Sequence, residues 1–117
     1  MKLKWYNKSR INGASMKIYV KLITFFRRVQ IKADVDKNVV LVNKKKTEID
    51  AKDFAVRLLY IIADWKEKNT GDLIDSDEYE IKIQDGDTIT NYYGKGSYPL
   101  NYGDFKRLIG EISGARI

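Results

Sequence analysis

The stretch that decides the fold is DAKDFAVRLLYIIADWKEK, residues 50–68. Its large apolar side chains recur at spacings of four, three and four, the period of one helical face; they are Phe54, Leu58, Ile61 and Trp65. The sequence predicts a helix here, with Asp50 as its N-cap and Asp53 in the first turn, where a carboxylate suits the helix dipole. Asn69-Thr70-Gly71 should stop the helix, with Gly71 in the left-handed conformation.

The chain before this helix alternates between apolar and polar side chains, as half-buried strands do. The apolar side chains hold even positions up to Leu22 and odd positions from Val29 onwards. One flat strand cannot change phase in this way, so we predict a bulge or break near residues 23–26. A helix over residues 16–30 also fits the spacing, but β-branched and aromatic residues favour strands. Further strands are predicted at Lys2–Tyr6, after which Asn12-Gly13 indicates a turn, and at Val39–Val42.

The sequence after this helix predicts a hairpin and a second helix. Tyr79–Ile83 alternates as a strand, Asp85-Gly86 is a strong turn pair, and Thr88–Tyr93 returns. We expect a three-residue turn with a bulge, because it would place Ile89 and Tyr93 beside Ile81 and Ile83. Asn101 is the expected N-cap of the second helix, and Gly114 follows its end. The buried stripe of that helix is formed by Phe105, Leu108, Ile109 and Ile112.

This order of elements predicts an α+β fold. The expected architecture is an antiparallel sheet of about five to six strands packed on one long helix and a short C-terminal helix. A length of 117 residues argues for a single domain over residues 1–117.

The composition excludes several chemistries. The chain has no histidine and no cysteine, which rules out Ser-His-Asp and Cys-His catalysis and zinc sites of the Cys/His kind. We therefore predict a non-enzymatic protein with no cofactor and no catalytic or metal-binding residues. The acidic stretch at residues 72–78 lacks the spacing of a calcium loop. No apolar run is long enough to cross a bilayer and no signal peptide is evident, so we expect no membrane association and a cytoplasmic location.

Charge is distributed unevenly along this basic chain, whose net charge is +6. Residues 1–46 hold 13 Lys and Arg against two acids, whereas residues 47–117 hold nine against 14. Such an asymmetry can steer an anionic partner to one side of a protein. The candidate anion- or partner-binding surface comprises Lys17, Lys21, Arg27, Arg28, Lys44, Lys45 and Lys46. The aromatic residues interleaved with the basic ones are Trp5, Tyr6, Tyr19, Phe25 and Phe26.

The second half carries a recognisable pattern: Trp65 near the end of the helix, Asp85-Gly86 in the hairpin, and YYGKGSYPLNYGDFKRLI at residues 92–109. In this pattern the chain resembles a group of small proteins of Gram-positive bacteria and their mobile elements, over roughly residues 40–112. The resemblance implies the α+β order but no activity, and no residue is carried over from it as a ligand or catalyst.

Two functions follow as hypotheses. The first is a small protein-binding module, an inhibitor or adaptor of phage or mobile-element type, for which anti-CRISPR counter-defence is a specific form. The second is a nucleic-acid-binding module that uses the basic N-terminal face, since cations bind phosphates and aromatic side chains stack on bases. A lysine-flanked sheet edge also leaves homodimer formation open.

Overall fold

The structure, a computed structural model, describes residues 15–115 and Ile117. The predicted strand Lys2–Tyr6 and the Asn12-Gly13 turn lie outside the described residues. The fold is α+β, with a sheet on one side and two helices on the other. The elements are β1 (Met16–Ile23), β2 (Arg28–Asp34), β3 (Val39–Val42), β4 (Lys45–Lys46), α1 (Ala51–Ile62), β5 (Lys68–Thr70), β6 (Glu78–Asp85), β7 (Thr88–Lys95) and α2 (Tyr102–Ser113).

The sheet has seven strands in the order β4-β3-β2-β1-β6-β7-β5. All neighbours are antiparallel except β5, which pairs in parallel with β7. The α+β class is therefore confirmed, whereas the expected antiparallel sheet of about five to six strands differs from the structure in strand number and in the parallel strand β5. The two helices have equal lengths of 12 residues, so the contrast between a long and a short helix was also wrong.

The phase change between Leu22 and Val29 comes from a hairpin, which confirms the predicted strands and the break between them. Leu22 and Val29 are cross-strand partners, so both point into the core despite their opposite parity. The Thr24 amide donates to the Arg27 carbonyl over 2.8 Å and closes the turn. Phe25 stands at the tip and is 89% exposed.

Helix α1 starts as predicted but ends earlier. The Asp50 carboxylate accepts from the Lys52 amide at 3.0 Å, which confirms the N-cap. The helix ends at Ile62, so the predicted continuation to Lys68 was wrong. Trp65 lies beyond the helix in a turn, yet only 7% of it is exposed.

The predicted helix stop at Asn69-Thr70-Gly71 was wrong because Lys68–Thr70 forms β5. The Tyr93 amide donates to the Glu67 carbonyl at 2.8 Å and the Gly71 amide to the Lys95 carbonyl at 3.0 Å. These bonds hold the segment along β7. Pairing with a strand more than twenty residues further along the chain therefore decides this conformation, not a local helix-ending signal.

The β6–β7 hairpin has a two-residue turn, so the expected bulge was wrong. Ile81 faces Tyr92 and Ile83 faces Thr90, while Ile89 and Tyr93 lie on the opposite side of the sheet. The reason is the packing of Tyr79 against Gly94. A Cβ atom at Gly94 would collide with the Tyr79 ring, so only a glycine can occupy the core side of β7 there.

Helix α2 begins after Asn101 and ends before Gly114, which confirms both predicted bounds. Gly114 has φ 67°, a left-handed conformation, and donates its amide to the Gly110 carbonyl at 2.9 Å. The Asn101 side chain makes no capping bond to the helix. It accepts from Trp65 Nε1 at 2.6 Å and donates through Nδ2 to the Ile61 carbonyl at 2.6 Å. Asn101 thus ties the start of α2 to the end of α1.

Candidate functional site

Within residues 15–115, helices cover the sheet on one side only. The side chains on its other side form what we call the open face, and strand register defines its members, because directly paired residues point to the same side. Its cations are Lys17, Lys21, Arg28, Lys32, Lys46, Lys68, Lys82 and Lys95. Its carboxylates are Asp34, Glu78 and Glu80. The open face is therefore strongly basic.

The three carboxylates of the open face already have partners. Glu78 accepts a hydrogen bond from the Tyr93 hydroxyl at 2.8 Å, and this bond raises the pKa of Tyr93. Glu80 lies 3.5 Å from the Lys21 ammonium group. Asp34 accepts from the Lys37 amide at 3.2 Å. With eight cations against three carboxylates, the open face keeps an excess of positive charge.

A hollow of about 300 Å³ lies at the centre of the open face. Tyr19 of β1 and Val39 and Leu41 of β3 line it and supply apolar surface. Polar side chains complete the lining; they are Lys17, Lys32, Asp34, Lys82 and Gln84. The hollow joins a half-buried aromatic ring to several cations, and this arrangement suits a ligand that is both planar and anionic.

Three lysines around the hollow are available to a ligand. Among the residues that the structure describes, Lys17, Lys32 and Lys82 form no ion pair. Lys32 and Lys82 flank Tyr19 in the two adjacent strands. Gln30 donates from Nε2 to the Tyr19 hydroxyl at 3.4 Å and so fixes one end of the ring.

The helical side of the protein is electrostatically different. Arg57 of α1 donates to both carboxylate oxygens of Glu111 of α2, at 2.7 and 2.9 Å. This fork raises the pKa of Arg57 and lowers the pKa of Glu111. Arg107 pairs with Asp104 at 2.7 Å. Arg57 and Arg107 are thus matched by acids, in contrast to the excess of cations on the open face.

The seven cations predicted as a surface are only partly brought together. Lys17, Lys21, Arg28 and Lys46 lie on the open face. Arg27 lies in the β1–β2 turn, Lys44 in the turn before β4, and Lys45 on the side of Val42, away from the open face.

Sequence reasoning missed Lys32 and Lys82, the two lysines nearest to Tyr19 across the strands. The alternation of residues 29–35 already placed Lys32 on the polar side of a strand, and this was a usable signal. Lys82 lies in the acidic half of the chain, and only the pairing of β6 with β1 brings it to the site.

The acidic stretch at residues 72–78 is occupied by contacts within the fold. Asp77 accepts from the Tyr102 hydroxyl at 2.9 Å and lies 3.0 Å from the Lys106 ammonium group. Burial and this hydrogen bond raise the pKa of Tyr102. Within residues 15–115 and Ile117, no group of three carboxylates converges as a metal site would require.

One end of the sheet carries exposed apolar side chains. Ile23 ends β1, Glu78 begins β6 and Lys95 ends β7, and the register places these three residues side by side. The turn after β1, the loop before β6 and the loop after β7 therefore all lie at this end of the sheet. We call it the apolar loop end, formed by Phe25, Leu73, Ile74 and Leu100. Grouped exposed apolar side chains of this kind mark contact surfaces more often than isolated ones do.

Comparison of the chain with protein-family models, with curated proteins and with solved structures found no match. Neither helix of the described part of the chain is long and apolar enough to span a membrane.

Proposed function

We propose that the protein is a non-enzymatic binding domain that takes nucleic acid on its open face. The observation that carries this proposal is the concentration around Tyr19 of lysines that form no ion pair with any described residue, on the side of the sheet that neither described helix covers. Phosphates bind such cations, and each neutralised phosphate releases counterions from the nucleic acid. The helical side provides fewer cations for an anion to bind, because Arg57 and Arg107 are already in ion pairs.

The test is a titration of a fluorescently labelled 12-nucleotide DNA or RNA strand, followed by anisotropy between 50 and 200 mM salt. The variant Lys32→Glu/Lys82→Glu removes two cations of the hollow. Lys52→Glu/Arg107→Glu makes the same change in net charge on the two helices and serves as the matched control.

We expect Lys32→Glu/Lys82→Glu to lose most of the affinity for the labelled strand. The control Lys52→Glu/Arg107→Glu should bind it nearly as the wild type does. The slope of log K against log salt should fall by about 1.4, because single strands contribute about 0.7 per phosphate contact. Absence of binding at 50 mM salt, or an equal loss in both variants, would refute nucleic-acid binding on this face.

A second candidate, binding of a protein partner, is favoured by the apolar loop end. Phe25 and Ile74 are 89% and 87% exposed, and Leu100 is fully exposed. The resemblance to mobile-element proteins makes an inhibitor of a host defence, such as an anti-CRISPR protein, the specific form of this candidate. A second copy of the chain is the simplest partner, and sedimentation at several concentrations tests for it.

The test of this candidate is a plaque assay in a CRISPR-immune bacterium that expresses the protein. Inhibition of immunity restores plaques of a targeted phage, and Phe25→Ser/Ile74→Ser should abolish this effect while Lys32→Glu/Lys82→Glu retains it. No restoration by the wild-type protein would refute the anti-CRISPR form.

A further inference from the structure

Tyr19 lies at the centre of a ring of lysines whose spacing follows from sheet geometry. Lys32 and Lys82 stand directly opposite Tyr19 in the two neighbouring strands. Directly opposite Cβ atoms lie about 4.5–5.5 Å apart, and Lys17, two residues along β1, lies about 6.6–6.8 Å away. Each flexible lysine side chain can therefore place its ammonium group beside the phenol ring.

The size and lining of the hollow restrict what it can hold. Its volume of about 300 Å³ is at the small end of the range of ligand pockets. Tyr19, Val39 and Leu41 supply apolar surface to its lining, whereas the polar lining comprises three lysines, Gln84 and one carboxylate, Asp34. A planar heterocycle with a negative charge nearby can contact both the apolar surface and the lysines. An acidic peptide segment would contact only the lysines.

We propose that the hollow binds one unpaired nucleobase stacked against the Tyr19 ring, with the neighbouring phosphates held by Lys17, Lys32 and Lys82. This inference rests on the proposed nucleic-acid binding and specifies its substrate as single-stranded. A duplex keeps its bases paired and stacked inside, so it offers the open face only phosphates. Single strands should therefore bind more tightly than a duplex of the same sequence.

The experiment compares three fluorescent probes: a 12-nucleotide strand, its duplex, and a strand of equal length in which every base is replaced by an abasic site. The proteins are the wild type, Tyr19→Ala and Tyr19→Phe. Asn91→Ala, a change elsewhere on the open face, is the matched control. Circular dichroism verifies that each variant is folded.

We expect Tyr19→Ala to bind the single strand about 5- to 150-fold more weakly, the range measured for the loss of one base stack. Tyr19→Phe keeps the ring and should stay within about twofold of the wild type. The salt slope should not change, because neither substitution removes a charge. Duplex binding should be equal in all four proteins.

The abasic strand tests the same inference without a substitution, and it still does so if Tyr19→Ala fails to fold. The wild type should bind it as weakly as Tyr19→Ala binds the normal strand. Equal wild-type affinity for the normal and abasic strands would overturn the base-stacking inference. If the Lys32→Glu/Lys82→Glu variant still lost affinity in that case, nucleic-acid binding on the open face would stand. Failure of every probe to bind at 50 mM salt would remove both proposals.

Discussion

The Asn101 side chain offers the sharpest test of how the two helices are held together. Its amide joins the Trp65 indole N–H to the Ile61 carbonyl, each over 2.6 Å. Replacement by Ala leaves one donor and one acceptor without partners, next to a tryptophan that is 7% exposed. Each unsatisfied group costs about 1–3 kcal/mol when it is fully buried, so two cost about 2–6 kcal/mol. Because both bonds are only partly buried, we expect Asn101→Ala to lower the free energy of unfolding by about 2–4 kcal/mol.

Asn101→Asp separates the two bonds. The carboxylate still accepts from Trp65 but has no proton for the Ile61 carbonyl, and the two oxygens repel each other. Folding therefore favours the protonated acid, which raises its pKa in the folded state. The deficit relative to wild type should be largest at neutral pH and should shrink as the pH falls and the acid becomes protonated.

The measurement is urea-induced unfolding followed by far-ultraviolet circular dichroism, at neutral pH for all variants and across acid pH for Asn101→Asp. Asn91→Ala on the open face is the control and should change stability by less than about 0.5 kcal/mol. A loss for Asn101→Ala as small as that of the control would refute the bridging role. A deficit of Asn101→Asp that is independent of pH would refute the assignment of donor and acceptor.

Three further predictions concern the core and the helix pair. Leu58→Ala empties a fully buried position and should cost about 2–5 kcal/mol in urea unfolding; a cost below about 1 kcal/mol would contradict its place in the core. Gly94→Ala brings a methyl group onto the Tyr79 ring and should lower the melting temperature; an unchanged melting temperature would contradict the packing that sets the β6–β7 register. Glu111→Gln removes the carboxylate whose pKa Arg57 lowers. Because that pKa is lower in the folded state, the pair stabilises the protein above the ordinary range of the carboxyl and loses this effect as the pH falls through the lowered value. The difference in stability between wild type and Glu111→Gln should therefore vanish at strongly acid pH, and a constant difference would contradict the ion pair.

The parts of the fold that depend on local pattern were predictable. The apolar stripes of both helices, the cap at Asp50 and the end of α2 before Gly114 follow from residues that are close in the chain. The hairpin between Leu22 and Val29 follows from the same kind of pattern, because a change of apolar phase demands a break in the strand.

The parts that depend on distant pairing were not predictable. Lys68 and Asn69 are of types that are depleted in strands, and the segment forms a strand because the turn after α1 brings it beside β7. The register of the β6–β7 hairpin is set by Tyr79 against Gly94, a contact that periodicity does not reveal. The same limit applies to the candidate site, since Lys82 reaches Tyr19 only through the pairing of β6 with β1.

The position of β1 in the middle of the sheet has a consequence for synthesis. Its first partner, β2, follows at once, but its second partner, β6, ends at Asp85, more than sixty residues after Ile23. At about 5–20 residues per second, the ribosome needs about 3–12 s to supply that partner. During this interval one edge of β1 has unpaired backbone groups. The apolar side chains of β1 also lack the part of the core that β6 and α2 supply. A chain that is cut short before Asp85 keeps such an edge permanently, and an edge of this kind pairs readily with other chains.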